Sequence, residues 1–157
     1  MTTVYLKPHK EESLLRFHPW VFSGAIRSIQ LDADYPYAQP QEGEVVQVLD
    51  SNGKILGVGH YQIGSIAVRI LAFGVGELPA DFWQERIRAA YEVRRSLGLI
   101  TSETENCQLK TENGNNTYRL VHGEGDFLPG LIVDVYEDTA VIQAHSIGMH
   151  CHRMEIA

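Results

Sequence analysis

The sequence predicts an α+β fold in two parts: a small β-barrel over residues 1–75, then a helix and a second small α/β set of antiparallel strands over residues 76–157. Three observations predict it. Short apolar runs with turn residues between them fill the first half, the pattern of a small barrel or sandwich. One stretch of helical periodicity follows a break at Gly74, Gly76 and Pro79. A polar stretch then gives way to further strand-like runs. At 157 residues and 17.6 kDa the chain has room for one ordinary domain or two small ones.

In the first part the apolar runs fall at 4–6, 21–26, 45–49, 55–58 and 66–71. Between the third and fourth, Asp50-Ser-Asn-Gly53 reads as a hairpin turn, with Asn-Gly supplying positive φ angles. The run at 45–49 is apolar on both faces near its middle, which predicts a central strand. The helix is expected over about 80–97, with Pro79 suited to its first turn and Gly98 to the position past its end. At about 100° per residue, Phe82, Trp83, Ile87, Ala90, Tyr91, Val93 and Leu97 share one wide arc. Asp81, Glu85, Arg88, Glu92 and Arg95 lie opposite. Arg86 and Arg94 fall inside the apolar arc, where long cations ordinarily lay their stems on apolar surface and reach water with their heads. The alternative is that they bind phosphate. Residues 101–117 read as a loop or linker, with a short strand conceivable near 108–110. Strands follow at 118–121, 130–136 and 139–144, the last two joined as a hairpin across Glu137-Asp138. Two or three strands bury too little to fold alone, so they must dock on the helix or belong to a longer protein.

Composition excludes several classes. The chain is 44% hydrophobic and 21% charged, unlike a disordered segment. No apolar run approaches the eighteen or so residues of a membrane span, and the N-terminus has no signal pattern, so no membrane partner and a cytoplasmic location are expected. Cys107 and Cys151 cannot form a disulfide framework. The net charge of −7 is uneven: residues 99–157 hold three Lys/Arg against nine Asp/Glu, whereas residues 1–78 hold six against eight. The first part can therefore still carry a local basic patch.

Most candidate chemistry is weak. Gly57-Val-Gly-His-Tyr-Gln-Ile-Gly64 fits neither the dinucleotide nor the P-loop spacing, and glycines between short strands more often mark bulges and corners. His145, His150, Cys151 and His152 cluster near the end, with His150 and His152 on one face of an expected strand, but no second ligand pair lies upstream. Cys107 sits near Glu103 and Glu105, whose charge disfavours a thiolate. His122-Gly-Glu-Gly-Asp126 is read first as a turn and second as the lining of a cleft, where a free-standing enzyme would have to act.

The most informative stretch is Ser13-Leu-Leu-Arg-Phe-His-Pro-Trp-Val-Phe-Ser-Gly-Ala-Ile26. Trp20 and Phe22 share one strand face and Val21 the other. Arg16 and His18 precede them, and Lys7, His9 and Lys10 lie close in sequence. Cations interleaved with aromatics offer phosphate contacts together with stacking platforms for bases. Large aromatics are mostly buried, so Trp20 and Phe22 are expected in the core and the flanking cations carry the binding reading. Lys7, Lys10, Arg16, His18, Arg86 and Arg94 are the candidate RNA-binding residues; no catalytic, cofactor or metal residue is assigned.

These residues resemble a known family. The stretch from Lys7 to Ile26 is similar to the start of class I SAM-dependent RNA methyltransferases of the large-subunit methyltransferase I type. The resemblance continues through Gly43-Glu-Val-Val-Gln-Val-Leu-Asp50, Leu56-Gly-Val-Gly-His-Tyr61, Val68-Arg-Ile-Leu71, and Tyr118-Arg-Leu-Val-His-Gly-Glu-Gly-Asp-Phe-Leu-Pro-Gly-Leu-Ile-Val-Asp-Val-Tyr136. It implies a PUA domain, a small RNA-binding barrel, over residues 1–75, and a central α/β domain after it. It also implies a Rossmann-like catalytic domain that binds S-adenosylmethionine and methylates carbon 5 of a cytosine in 23S rRNA. That domain is absent from these residues. The expectation is an RNA-targeting front part, inactive alone, whose partners are rRNA and the missing methyltransferase domain and whose parent uses S-adenosylmethionine. The alternative is a protein-interaction or structural module packing on a partner or on the catalytic domain.

Overall fold

The computed structural model describes residues 1–100 and 117–157. It holds strands β1 (Thr3–Leu6), β2 (Trp20–Phe22), β3 (Ile26–Gln30), β4 (Val45–Leu49), β5 (Ile55–Tyr61) and β6 (Ile66–Phe73), then β7 (Thr117–His122), β8 (Leu131–Tyr136) and β9 (Thr139–Ala144). The helices are α1 (Glu12–Leu15), α2 (Phe82–Ser96), α3 (Ile147–Cys151) and α4 (Arg153–Ile156). Two compact units result: Met1–Ala80 with Ser146–Cys151, and Asp81–His145 with His152–Ala157. The short strand conceivable near 108–110 lies outside the described residues, as does Cys107. No described helix is long and apolar enough to cross a membrane.

The first unit is built on one six-stranded sheet in the order β2-β6-β5-β4-β1-β3, antiparallel except for β1 beside β4. The edge strands β2 and β3 are consecutive in sequence, joined only by a 3-10 turn at Ser23–Ala25. Laid flat, six strands would hold their edges about 24 Å apart. The four Cα–Cα steps from Phe22 to Ile26 reach no more than about 15 Å. The sheet must therefore curl toward itself, and it does so through register shifts in β1–β3, β2–β6, β4–β5 and β5–β6. Its inner face carries Val4, Leu6, Val21, Val46, Val48, Val68 and Ile70, with Leu14 of α1 packed on them. As its sequence predicts, β4 is central, with Val46 and Val48 buried on one face and, on the other, Val45 and Gln47 half-buried and Leu49 buried.

The expected run at 21–26 is really two strands and a turn: β2 ends at Phe22 and β3 begins at Ile26. In the Asp50–Gly53 turn only Gly53 is left-handed, at φ +87°. The Asp50 carboxylate closes the turn by accepting from the Asn52 and Lys54 amides at 2.8 Å each. Gly57 and Gly59 lie in β5 against β6, where a Cβ would run into the carbonyl oxygens of Ala72 and Arg69. They are close-approach glycines of the curled sheet, not a phosphate loop.

The second unit sets α2 on the antiparallel sheet β7-β8-β9. Tyr91, Ile100, Tyr118, Leu120 and Val135 form the contact. The helix begins at Phe82, two residues later than its sequence suggests, and ends as expected at Gly98, φ +71°. The Gly98 amide donates to the Arg95 carbonyl and the Leu99 amide to that of Arg94, the Schellman arrangement. Only part of the expected apolar arc is covered: Phe82, Trp83 and Ala90 are buried, but Val93 and Leu97 are exposed. The 139–144 strand and the Glu137-Asp138 hairpin are present as expected, with Tyr136 opposite Thr139.

The expected strand carrying His150 and His152 is instead helical. Gly148 of α3 lies flat against the buried His60 ring, where any Cβ would collide, and Met149 is fully buried beside it. His152 precedes α4 and stacks at a tilt on Trp83, while the Trp83 indole N–H donates to Glu155 at 3.1 Å. Among the described residues no three His, Cys, Asp or Glu side chains gather as metal ligands do.

Candidate nucleic-acid interface

The turn before β2 sets up the first unit's outer surface. Helix α1 ends in a second Schellman arrangement, with the Phe17 amide donating to Leu14 and the His18 amide to Ser13. The left-handed position, usually glycine, is Phe17 at φ 61°. That conformation is strained for a bulky residue. It throws the ring outward, 67% exposed and edge-on to Phe73. Strand alternation then puts Val21 in the core and Trp20 and Phe22 on the opposite face.

The expectation that Trp20 and Phe22 are core residues is therefore overturned: Trp20 is half-buried and Phe22 is 49% exposed. The physical reason is the period of two. Val21 fills the inner position, and β2, an edge strand only three residues long, leaves Phe22 exposed on its other face. His18, Trp20 and Phe22 form a ladder of edge-to-face rings at centroid spacings of 5.3 and 6.4 Å. Beside it lies a cleft of about 380 Å³ lined by Lys10, Ser13, Trp20, Phe22 and Gly24.

The candidate cations divide. Lys10 and His18 are exposed on this surface. Lys7 is exposed too, but its ammonium donates to the Gly24 carbonyl at 2.8 Å and so helps hold the rim of the cleft. Arg16 stands in solvent, 4.0 Å from Glu12 on the next turn. Such an exposed pair leaves the guanidinium free to exchange partners.

In the second unit the two arginines of the apolar arc part company. The guanidinium of Arg94 makes a two-pronged contact with Asp126, Nη2 to Oδ2 at 2.7 Å, and its Nε donates to the Arg119 carbonyl at 3.0 Å. Both side chains of the ion pair are buried. Arg94 is thus removed from the RNA-binding candidates: its donors are spent inside the unit, and its head reaches a carboxylate rather than water. Asp126 also accepts from the His122 amide at 2.6 Å, closing Gly123–Asp126 into a 3-10 turn. The His122–Asp126 segment is the turn its sequence suggests, and its one buried carboxylate is not available as a base. Arg86 lies instead between the rings of Phe82 and Phe127. Arg119 pairs with Asp134, Nε to Oδ1 at 2.7 Å. That bond holds the Asp134 carboxyl below its ordinary range and raises the guanidinium correspondingly.

Sequence reasoning missed Phe17, and it missed the exposure of Phe22. The alternation around Val21 carried the second signal; nothing local announced the first, because a left-handed phenylalanine follows no propensity.

Comparison with known proteins finds similarity over both units. Residues 4–73 match the PUA-like domain family. The chain is 37% identical to ribosomal RNA large subunit methyltransferase I of Tolumonas auensis and 34% identical to that of Pseudoalteromonas translucida, each match covering 99% of this chain and 35% of the relative. Its counterpart in Yersinia pseudotuberculosis is 35% identical over 92% of this chain and 32% of its own length. The chain thus spans about a third of the length of these relatives. Among solved structures, a Streptococcus mutans protein described as a SAM-dependent methyltransferase matches with a TM-score of 0.69, and a methyltransferase complexed with SAH with 0.70. Both are 18% identical, cover 99% of this chain and 36% of theirs, and are likenesses of fold.

Proposed function

We propose, on the premise that residues 4–73 are a PUA-like domain and that the chain is homologous over nearly its whole length to ribosomal RNA large subunit methyltransferase I, that the first unit docks RNA for an rRNA methyltransferase. The observation that carries this reading is the aromatic ladder of His18, Trp20 and Phe22 standing outside the core beside Lys10 and its cleft. Stacking platforms flanked by cations take unpaired bases and their phosphates together. Lys7, Lys10, Arg16 and His18 are the residues proposed to meet phosphate.

The finer parts of this proposal go beyond what the names of the relatives say: the RNA docked here serves methyl transfer from S-adenosylmethionine to carbon 5 of a cytosine in 23S rRNA, in the cytoplasm. The described residues do not fit S-adenosylmethionine. Gly57 and Gly59 are packed against the β6 backbone, and β6, the strand that leads toward α2, is antiparallel to both its neighbours. A cofactor-binding Rossmann turn needs a parallel strand opening into its helix. No step of methyl transfer is assigned to these residues; their part is to bind and orient RNA.

The test is a binding titration of the chain with a 23S rRNA fragment at two salt concentrations. Affinity should fall steeply as salt rises, because phosphate neutralisation releases counterions. Lys10→Ala and Arg16→Ala should weaken binding alike across sequences, each lowering the salt slope by about one. Trp20→Ala should weaken it about tenfold, the cost of one lost stacking partner, with the slope unchanged. Binding indifferent to salt and to all three substitutions would defeat the proposal.

A further inference from the structure

The second unit carries an aromatic and a cation whose arrangement the fold does not require. Phe127 follows the 3-10 turn at Gly123–Asp126 with a left-handed backbone, φ 58°, and its ring is 49% exposed. A glycine would hold that conformation without strain, and a polar residue would hold that position without exposing a ring. The turn is nevertheless fixed on every side. The Phe127 amide donates to Glu124 at 3.2 Å, the Leu128 amide donates to Gly123 at 3.0 Å, and the Asp126 carboxylate is locked by Arg94 and the His122 amide. Leu128, completely buried, swings inward as Phe127 swings outward.

Arg86 backs this ring. Its guanidinium carbon lies 5.3 Å from the Phe127 centroid and 5.5 Å from that of Phe82, which is buried. The other three arginines of α2 each have a carboxylate: Arg88 has Glu85, Arg94 has Asp126 and Arg95 has Glu92. Among the described residues Arg86 has none. A guanidinium with no counter-ion keeps its charge and its N–H donors for something else. An exposed ring with an uncompensated guanidinium against it offers a base a face to stack on and its phosphate a cation.

We infer that Phe127 and Arg86 form a second RNA contact, on the second unit, at which one unpaired base stacks on the Phe127 ring while Arg86 meets its phosphate. This rests on the reading of the chain as an RNA-docking protein, and it extends that role to a unit whose net charge argues against it. Asp126, the carboxylate directly before Phe127 in the chain, is already paired with Arg94 and so does not set its charge against a stacked base there.

The experiment measures fluorescence anisotropy of a short fluorescein-labelled single-stranded RNA of mixed sequence, titrated with the 157-residue chain and its variants. Phe127→Ala and Arg86→Gln should each weaken binding about tenfold. Phe127→Tyr should bind like the parent and Phe127→Leu like the alanine variant, which separates a stacking ring from apolar bulk and from any loss of folding. Arg86→Gln should lower the salt slope by about 0.7, while the Phe127 variants leave it alone. If Phe127→Ala and Phe127→Leu bind as the parent does while Trp20→Ala and Lys10→Ala bind weakly, the inference falls and the first-unit reading stands. If the Phe127 variants bind weakly and the Trp20 and Lys10 variants do not, the inference stands and the first-unit reading falls. If the parent chain binds no RNA, both fall.

Discussion

Arg94 and Asp126 face each other with side chains only 12% and 8% exposed, thirty-two residues apart in sequence. The pair joins α2 to the turn after β7, so its removal acts on the whole second unit. Arg94→Ala strands a buried carboxylate and should cost about 3 kcal/mol or more, read as a lower urea midpoint. The double variant Arg94→Ala, Asp126→Ala should cost less than the sum of the singles, since no unpaired charge remains. Asp134 makes a pH-dependent counterpart. Its carboxyl is held below the ordinary value by hydrogen bonds from Arg119. A lowered folded-state pKa gives stability that is complete above the ordinary value and is lost as pH falls through the folded one. The melting temperature should therefore drop as pH is lowered below about 4, and Asp134→Asn should flatten that drop. The effect is modest, because the Arg119 side chain is 42% exposed.

At the scale of the element, what could be read from sequence was what local chemistry decides. The strand at 45–49 announced itself by apolar residues on both faces, and the end of α2 by Gly98. Gly57 and Gly59 were legible as corner glycines of a small barrel, and their tight seats against β6 give that reading a number. Gly59→Ala must push the Arg69 carbonyl aside and should destabilise the first unit by about 1–3 kcal/mol, again as a urea midpoint. The short helices α1, α3 and α4 were not legible. Four or five residues make no periodic window, and such helices stand only on tertiary contacts. The candidate interface was half legible for the same reason: the cations and aromatics were visible as a cluster, but which rings face water depended on β2 being an edge strand with Val21 turned inward.

On the scale of the whole molecule, the charge asymmetry seen in sequence acquires a structural meaning. The near-neutral residues 1–78 build the sheet that presents Lys10 and the ring ladder, while the acidic excess falls in residues 99–157. Two of those acids, Asp126 and Asp134, are spent on arginines within the second unit. Net charge is thus a poor guide to where an anionic polymer can land, and the sign of the local surface decides it. The linear sequence had no means of showing that residues 146–151 rejoin the first unit, because the contacts of Gly148 with His60 and of Cys151 with Gly43 link positions about 90 and 110 residues apart.

That return has a consequence for how the protein is made. A ribosome delivers Met1–Ala80 first and Ser146–Cys151 about sixty-five residues later, a delay of roughly 3 to 13 s at ordinary elongation rates. Throughout that interval the seat over His60 stays open in the nascent chain. The cover over His60 arrives only after Asp81–His145 has been made, so the first unit, the earliest to emerge from the exit tunnel, waits for one of the last segments to be synthesised.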